Sequence, residues 1–179
     1  MERPSTRIMH RVATTIPSVG RAPRTFGSLG EAARDLVGVW ARSPRLAKVY
    51  LAGVLDPSLR ERIMVAVSRV NACAGCTAVH ERWALRAGVS DEELSAIGLG
   101  ELASLDARSR AAVVYAAALA EAGFRRAPDR ELVALVREQL TVDELRAVEA
   151  VARMMAFANL SANTLGRGFQ RASSRLDTA

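Results

Sequence analysis

The chain is poor in the features that mark specialised classes of protein. Only 4% of its 179 residues are aromatic, and no basic segment is interleaved with aromatic side chains, so nucleic-acid binding is not favoured. The most apolar stretch, A-A-V-V-Y-A-A-A-L-A, is about half the roughly 18–20 residues that a membrane span requires. Half of the residues are apolar and a quarter are charged, a balance typical of one globular domain with a substantial core.

The positive charge of the chain is concentrated near its N-terminus. Residues 1–50 carry nine Lys and Arg against three acids, whereas the remainder carries sixteen of each. Residues 1–27 contain three prolines and little periodicity, so we expect an extended basic arm against a neighbouring subunit, then a single helical domain at 28–179. In composition the arm is close to a transit peptide but lacks the apolar core of a secretory signal, and we favour a plain extension of a cytoplasmic protein.

Helix signals follow one another along the rest of the chain. Asp56-Pro57 predicts a helix start, because a capping carboxylate precedes proline at the first helical position. Ser90–Glu93 and Thr141–Glu144 have the pattern of capping boxes, and each predicts a further start. Gly88 and Gly123 stand where helices are expected to end.

The last helix is the longest that the pattern predicts. From Leu145 to Leu160, apolar residues keep one face for about five turns. No segment of the chain alternates with period two for more than a few residues, so strands are not expected. The sequence therefore predicts an all-α protein, a compact bundle of about six to eight helices with Ala-rich contact faces.

Both cysteines lie in one segment, N-A-C-A-G-C-T-A-V-H, at residues 71–80. Three interpretations compete: a metal site, a redox pair, and two small core residues. A thioredoxin-like pair would follow a strand, and a c-type haem motif would have histidine where Thr77 stands. A zinc site lacks the usual second pair of ligands, but four candidates exist: Cys73, Cys76, His80 and Glu61. Buried core cysteines would seldom fall three residues apart beside a histidine.

A redox pair explains the spacing best. On a helix, Cys73, Cys76 and His80 lie on one face over two turns. Asn71-Ala72 can interrupt the preceding helix, which would leave Cys73 at a fresh N-terminus where unpaired amides favour a thiolate. His80 would then serve as proton acceptor, and the two thiols could cycle between dithiol and disulfide.

The pattern Glu61-x11-Cys73-x2-Cys76-x3-His80 resembles the alkylhydroperoxidase D-like branch of the carboxymuconolactone decarboxylase superfamily. The resemblance implies an all-helical subunit, assembled as a homo-oligomer (a trimer or hexamer), with a thiol–disulfide site. It implies that Cys76 attacks a peroxide, that Cys73 resolves the sulfenic acid, and that His80 and Glu61 relay protons. The best-known members have histidine before the second cysteine, whereas this chain has Gly75, which puts peroxidase strength in doubt.

Geometry sets one condition on this interpretation. In a single straight helix, Glu61 would lie about 18 Å from Cys73, too far for a proton relay. The relay therefore requires a sharp break near Asn71. Without the resemblance, Glu61 could equally be a solvated acid in the first turn of its helix.

The resulting prediction is a thiol-dependent peroxidase or disulfide reductase. Gly166-Arg-Gly168 lacks the preceding strand of a dinucleotide loop, so we expect no nicotinamide or flavin, no metal, and an external dihydrolipoyl or thioredoxin-like thiol donor. The alternatives are a carboxymuconolactone decarboxylase-type enzyme, which would not use a Cys pair, and a non-enzymatic redox sensor or helical interaction module. Trp83 is expected in the core or as an interface anchor, and Asn159 and Asn163 are expected to bond across a helix contact or to cap a loop.

Overall fold

The computed structural model describes residues 21–176, with side chains as far as residue 168. Eight α-helices and one 3₁₀ turn follow one another, and the described residues contain no strand. The α-helices are α1 Leu29–Trp40, α2 Ser43–Leu51, α3 Pro57–Val70, α4 Ala74–Arg86, α5 Asp91–Leu99, α6 Ala107–Glu121, α7 Arg130–Arg137 and α8 Val142–Leu176, with the 3₁₀ turn at Leu102–Ser104. The predicted all-α class is confirmed.

The helices begin where the capping residues predict. The Asp56 carboxylate accepts from the amide of Leu59 and opens α3 with Pro57 in its first turn. Ser90 and Glu93 form a complete capping box at α5. Thr141 and Glu144 do the same at α8: the Thr141 hydroxyl accepts from the Glu144 amide, and the Glu144 carboxylate accepts from the Thr141 amide. Helix starts are therefore specified locally, by side chains that satisfy otherwise unpaired amides.

Two glycines end helices as expected. Gly88 follows α4 with a φ of 87°, and Gly123 follows α6 with a φ of 59°. A left-handed residue after a helix turns the chain away while its amide bonds back to the last turn. The turn after α6 continues through Phe124, which also has a positive φ, of 57°.

The core is built around α3. This helix is buried along almost its whole length and packs against α4, α6 and α8. Helix α6 is also buried on most sides, with alanines at its contacts: Ala111, Ala112, Ala116 and Ala117. Small side chains let the helix axes approach closely, as the Ala-rich sequence predicted. Because α3 is central, its polar residues Glu61, Arg62 and Ser68 are buried between other helices.

Helix α8 is longer than the periodic pattern indicated. It continues to Leu176 and comprises 35 residues, and no proline follows Leu160 in the sequence. Gly166 and Gly168 lie within this helix, so they form no phosphate-binding loop. No helix of the described residues has the length and apolarity needed to cross a membrane.

The described end of the basic arm lies along its own chain. Residues 21–27 are not helical. The Phe26 ring is 5.7 Å from that of Phe157 on α8, and Arg21 pairs with Glu121 at 2.7 Å. The contact with a neighbouring subunit was predicted for the whole arm, residues 1–27; residues 1–20 are outside the described residues, so for them it stays a prediction.

The cap of α3 leads to a prediction about acid stability. Burial disfavours the Asp56 carboxylate, but bonds from Arg108, Leu59 and Ser58 outweigh it and lower its pKa from 3.8 to about 2. A carboxylate with a depressed folded-state pKa stabilises the fold above its unfolded pKa, and this contribution disappears as the pH falls. We expect Asp56→Asn, which can still cap the helix, to flatten the loss of stability between about pH 4 and pH 2.

Urea unfolding at several pH values would measure this effect. Asp91→Asn, at an exposed acid in the first turn of α5, is the matched control and should follow the parent. A parent-like acid slope in Asp56→Asn would contradict the prediction.

Candidate functional site

The cysteine segment begins at a break between two helices. Helix α3 ends at Val70, with Asn71 as its C-cap and Ala72 at a φ of 52°. Cys73 is the N-cap of α4 and its amide donates to the carbonyl of Ser68 at 3.0 Å. The break predicted near Asn71 is confirmed, and it folds α4 back against α3.

The two cysteines form a disulfide across the first turn of α4. Their Cα atoms are 5.3 Å apart. Cys73 is buried, with 3% of its surface exposed, whereas Cys76 is only partly buried. The two sulphur atoms are therefore not equally accessible to a reaction partner.

Glu61 and His80 form a buried pair that joins the two helices. Glu61 Oε2 lies 2.8 Å from His80 Nδ1, and the residues are 4% and 9% exposed. A carboxylate on Nδ1 fixes the ring orientation and leaves Nε2 available to a second partner. His80 follows Cys76 by one helical turn, on the same face of α4. The break between α3 and α4 thus brings Glu61 next to His80, which a single straight helix would keep far apart.

Two residues absent from the sequence analysis complete this network. Arg60 Nε is 3.4 Å from Glu61 Oε1, and the Arg60 guanidinium lies 4.7 Å from the centre of the Tyr50 ring. Burial raises the pKa of Tyr50, opposed by the charge of Arg60, so its phenol remains a hydrogen-bond donor. Neither residue has a spacing signal, because Tyr50 lies on α2 and Arg60 sits beside Glu61 in α3.

Trp83 borders His80 at the surface. Its ring meets the imidazole edge-on, with 5.2 Å between centroids, and the side chain is 49% exposed. The expectation of a core tryptophan was therefore wrong, because this face of α4 points outward. Its alternative role as an interface anchor remains a prediction.

The position of Gly75 is open. A Cβ built there meets no atom within 4 Å, and the residue is exposed in the first turn of α4. A larger side chain at residue 75 would therefore fit without displacing its neighbours.

The four residues considered for zinc are arranged in two pairs. The sulphurs of Cys73 and Cys76 are bonded to each other, while Glu61 and His80 bind one another. Across residues 21–176, no three His, Cys, Asp or Glu side chains are grouped to hold a metal ion.

Asn163 ties the arm to the helix break. Its Nδ2 donates to the carbonyls of Arg24 and Asn71, at 2.9 and 3.0 Å, and the Arg24 amide donates to the same Asn71 carbonyl at 3.1 Å. Asn159, one turn earlier, is fully buried and lies against Ser68 of α3. Asn159 thus lies at a helix contact, whereas Asn163 caps the turn that precedes Cys73.

Fold and site together define an all-helical protein with a disulfide at a helix N-terminus beside a buried Glu–His pair. Residues 45–122, from α2 to the end of α6, match the model of the Carboxymuconolactone decarboxylase family. This match agrees with the superfamily that the motif implies. The match does not distinguish the alkylhydroperoxidase D-like branch from the decarboxylases. No curated protein and no solved structure matches the chain.

Proposed function

We propose that the protein is a thiol-dependent hydroperoxide reductase of the alkylhydroperoxidase D-like branch. The observation that carries the proposal is the 2.8 Å bond between Glu61 and His80. It connects the central helix to the helix that bears both cysteines, and it leaves His80 Nε2 free of Glu61. A buried, oriented imidazole near a thiol is the arrangement that activates a cysteine nucleophile.

In the proposed reaction, His80 accepts the proton of the Cys76 thiol. The thiolate attacks an oxygen of the hydroperoxide and the O–O bond breaks. The alcohol leaves with the proton that His80 returns, and Cys76 becomes a sulfenic acid. Cys73 then attacks Cys76 Sγ, which forms the disulfide and releases water. An external dithiol restores both thiols by disulfide exchange and is itself oxidised.

The substrate is a peroxide or a disulfide, because a peroxide oxidises the pair through a sulfenic acid and a disulfide oxidises it by thiol–disulfide exchange. The donor is an external thiol protein of the dihydrolipoyl or thioredoxin-like kind, and the cycle suits a reducing compartment such as the cytoplasm. Millimolar dithiothreitol should therefore reduce the bond in the native protein. A bond that resists it would mark a structural bridge instead.

A second candidate is a decarboxylase acting on a lactone. The family match is compatible with it, whereas the disulfide favours thiol chemistry. Hydroperoxide added to reduced protein distinguishes the two when free thiols are counted over time. We expect rapid loss of two thiols per chain and one alcohol formed. Slow thiol loss without turnover would indicate a redox sensor, and turnover of carboxymuconolactone followed by its absorbance would establish the decarboxylase.

We also propose that the chain forms a homo-oligomer through α1. None of the residues of this helix is buried, and Leu36, Val37 and Trp40 are 52%, 67% and 77% exposed. Adjacent exposed apolar side chains of this size are typical of subunit contacts. We expect Trp40→Glu to lower the mass measured by light scattering, whereas Arg34→Glu, at an exposed residue of the same helix, should retain it. A monomeric parent at micromolar concentration would exclude the proposal.

The open position at Gly75 allows a gain-of-function test. We expect Gly75→His to speed the reaction of reduced protein with hydroperoxide by about ten-fold, because it adds an imidazole beside Cys76. The gain should stay below the roughly 10²- to 10⁴-fold of a buried general base, because residue 75 is exposed. Stopped-flow kinetics would measure the rate.

Gly75→Ala is the control, because it raises the helix propensity by about 1 kcal/mol without adding an imidazole. An equal gain in both variants would show that helix rigidity, not proton transfer, limits the reaction.

A further inference from the structure

A cavity of about 600 Å³ lies away from the cysteine site. It is bounded by α6, by the turn from residue 122 to 129, by α7 and by α8, with Arg42 reaching in from the turn between α1 and α2. Neither cysteine, nor Glu61 or His80, lines it. Its volume is within the range of pockets that bind small molecules.

The lining of this cavity is strongly cationic. It contains a single carboxylate, that of Glu149, and six arginines: Arg42, Arg125, Arg126, Arg130, Arg137 and Arg153. Arg125 pairs with Glu31. None of the other five forms a salt bridge among the described residues. Several positive charges around one cavity repel each other and attract anions, and a bound anion reduces this repulsion.

Two of these arginines form the floor. Arg42 and Arg153 are partly buried, and the Nε of each is a buried donor without a hydrogen-bond partner. Burial lowers the pKa of Arg153, and the charge of Arg42 lowers it further. The guanidinium groups that line this recess are suited to a carboxylate or phosphate, which they bind through paired hydrogen bonds.

The floor is held in place by its surroundings. The Arg153 guanidinium lies 4.6 Å from the centre of the Phe124 ring, and Arg42 Nη1 donates to the Gly38 carbonyl at 2.9 Å. A Cβ at Gly38 would come within 2.7 Å of Arg153 Nη1, so glycine at this position makes room for the side chain. The positive φ of Phe124 presents its ring to the cavity.

The remaining lining is apolar, with one neutral donor. Leu119, Phe124 and Val133 provide the wall. Tyr115 is 4% exposed and its hydroxyl lies 3.5 Å from Glu149. Burial, reinforced by Glu149, raises the pKa of Tyr115 to about 12, so it keeps its proton. Arginines beside an apolar wall suit a ligand that has an anionic group at one end and an apolar group at the other.

We propose that this cavity binds a small organic anion, with its carboxylate or phosphate on Arg42 and Arg153 and its apolar body against Leu119, Phe124 and Val133. The exposed arginines at the rim attract the anion and complete its neutralisation. This site is independent of the cysteine chemistry.

Calorimetric titration of the full chain with phenyl phosphate and with benzoate tests the proposal and distinguishes the two head groups. We expect at least one of them to bind once per chain. Inorganic phosphate should bind more weakly, because it lacks the apolar body, and benzyl alcohol, which lacks the charge, should not bind. Equal binding of benzyl alcohol, or no binding of either anion at millimolar concentration, would overturn the proposal.

Variants test the residues. The double change Arg130→Gln, Arg137→Gln alters only the exposed rim and should weaken anion binding about 10-fold or more, as lost charge-assisted bonds do. Arg146→Gln, at an exposed arginine of α8 outside the cavity, is the matched control and should bind as the parent does. An equal loss in the control would show general attraction to a basic protein and overturn the site. Arg153→Gln, with folding checked by circular dichroism, should weaken binding further.

Discussion

With hydroperoxide, reduced Cys73→Ser is expected to accumulate a sulfenic acid at Cys76, whereas Cys76→Ser is expected to react slowly. Cys76 is one helical turn from His80, at about 5–6 Å between Cβ atoms, so an imidazole can take its proton. Cys73 is buried at the N-cap of α4, where amides favour its thiolate by roughly 0.3–1 kcal/mol. A positioned base contributes about 10²- to 10⁴-fold in rate, which outweighs the helix terminus.

Mass spectrometry after dimedone labelling would detect the sulfenic acid, and the double variant Cys73→Ser, Cys76→Ser gives the background. If Cys76→Ser consumed peroxide as fast as the parent and Cys73→Ser did not, the roles would be reversed. The helix terminus would then control the chemistry.

The second large effect is expected at His80. His80→Asn should slow the reaction of the reduced protein with hydroperoxide by about 10²- to 10⁴-fold, because no base remains beside Cys76. The Asn amide can still donate to Glu61, so the buried carboxylate keeps a partner. His80→Ala should show the same slow reaction and should also destabilise the fold by about 1–3 kcal/mol, the cost of an unsatisfied buried group.

Stopped-flow kinetics and urea unfolding on the same samples would separate the two quantities. Trp83→Phe, which retains an aromatic ring beside residue 80, is the control for disturbance of α4 and should keep most of the rate. A parent-like rate in His80→Asn would remove the histidine from the mechanism.

The sequence predicted the local parts of this structure well. The carboxylate of Asp56, the Ser90 and Thr141 boxes and the glycines after α4 and α6 all act within one turn of themselves, so their effects are readable from neighbouring residues. The break at Asn71 was also predicted, because Asn71-Ala72 can interrupt a helix and because the proton relay implied by the family resemblance required a break there.

The remaining features depend on contacts between distant segments. Arg60 and Tyr50 meet only because α2 lies beside α3, and the outward position of Trp83 follows from how α4 packs. The cationic cavity gathers arginines from three parts of the chain with no shared motif. Charge counted along the sequence balanced to zero beyond residue 50 and therefore concealed a local excess that only the fold assembles.

Cys73 and Cys76 are buried to different extents. In the proposed catalytic cycle, this difference bears on which cysteine a thiol donor attacks and which one leaves. We expect an incoming donor thiol to attack Cys76, which is partly buried, rather than Cys73, which is buried. Cys73 would then be the leaving thiolate, and the amides at the start of α4 would stabilise it as it departs. In this proposed cycle the helix terminus promotes regeneration and the histidine promotes oxidation. A donor protein intercepted during turnover would be found linked to Cys76.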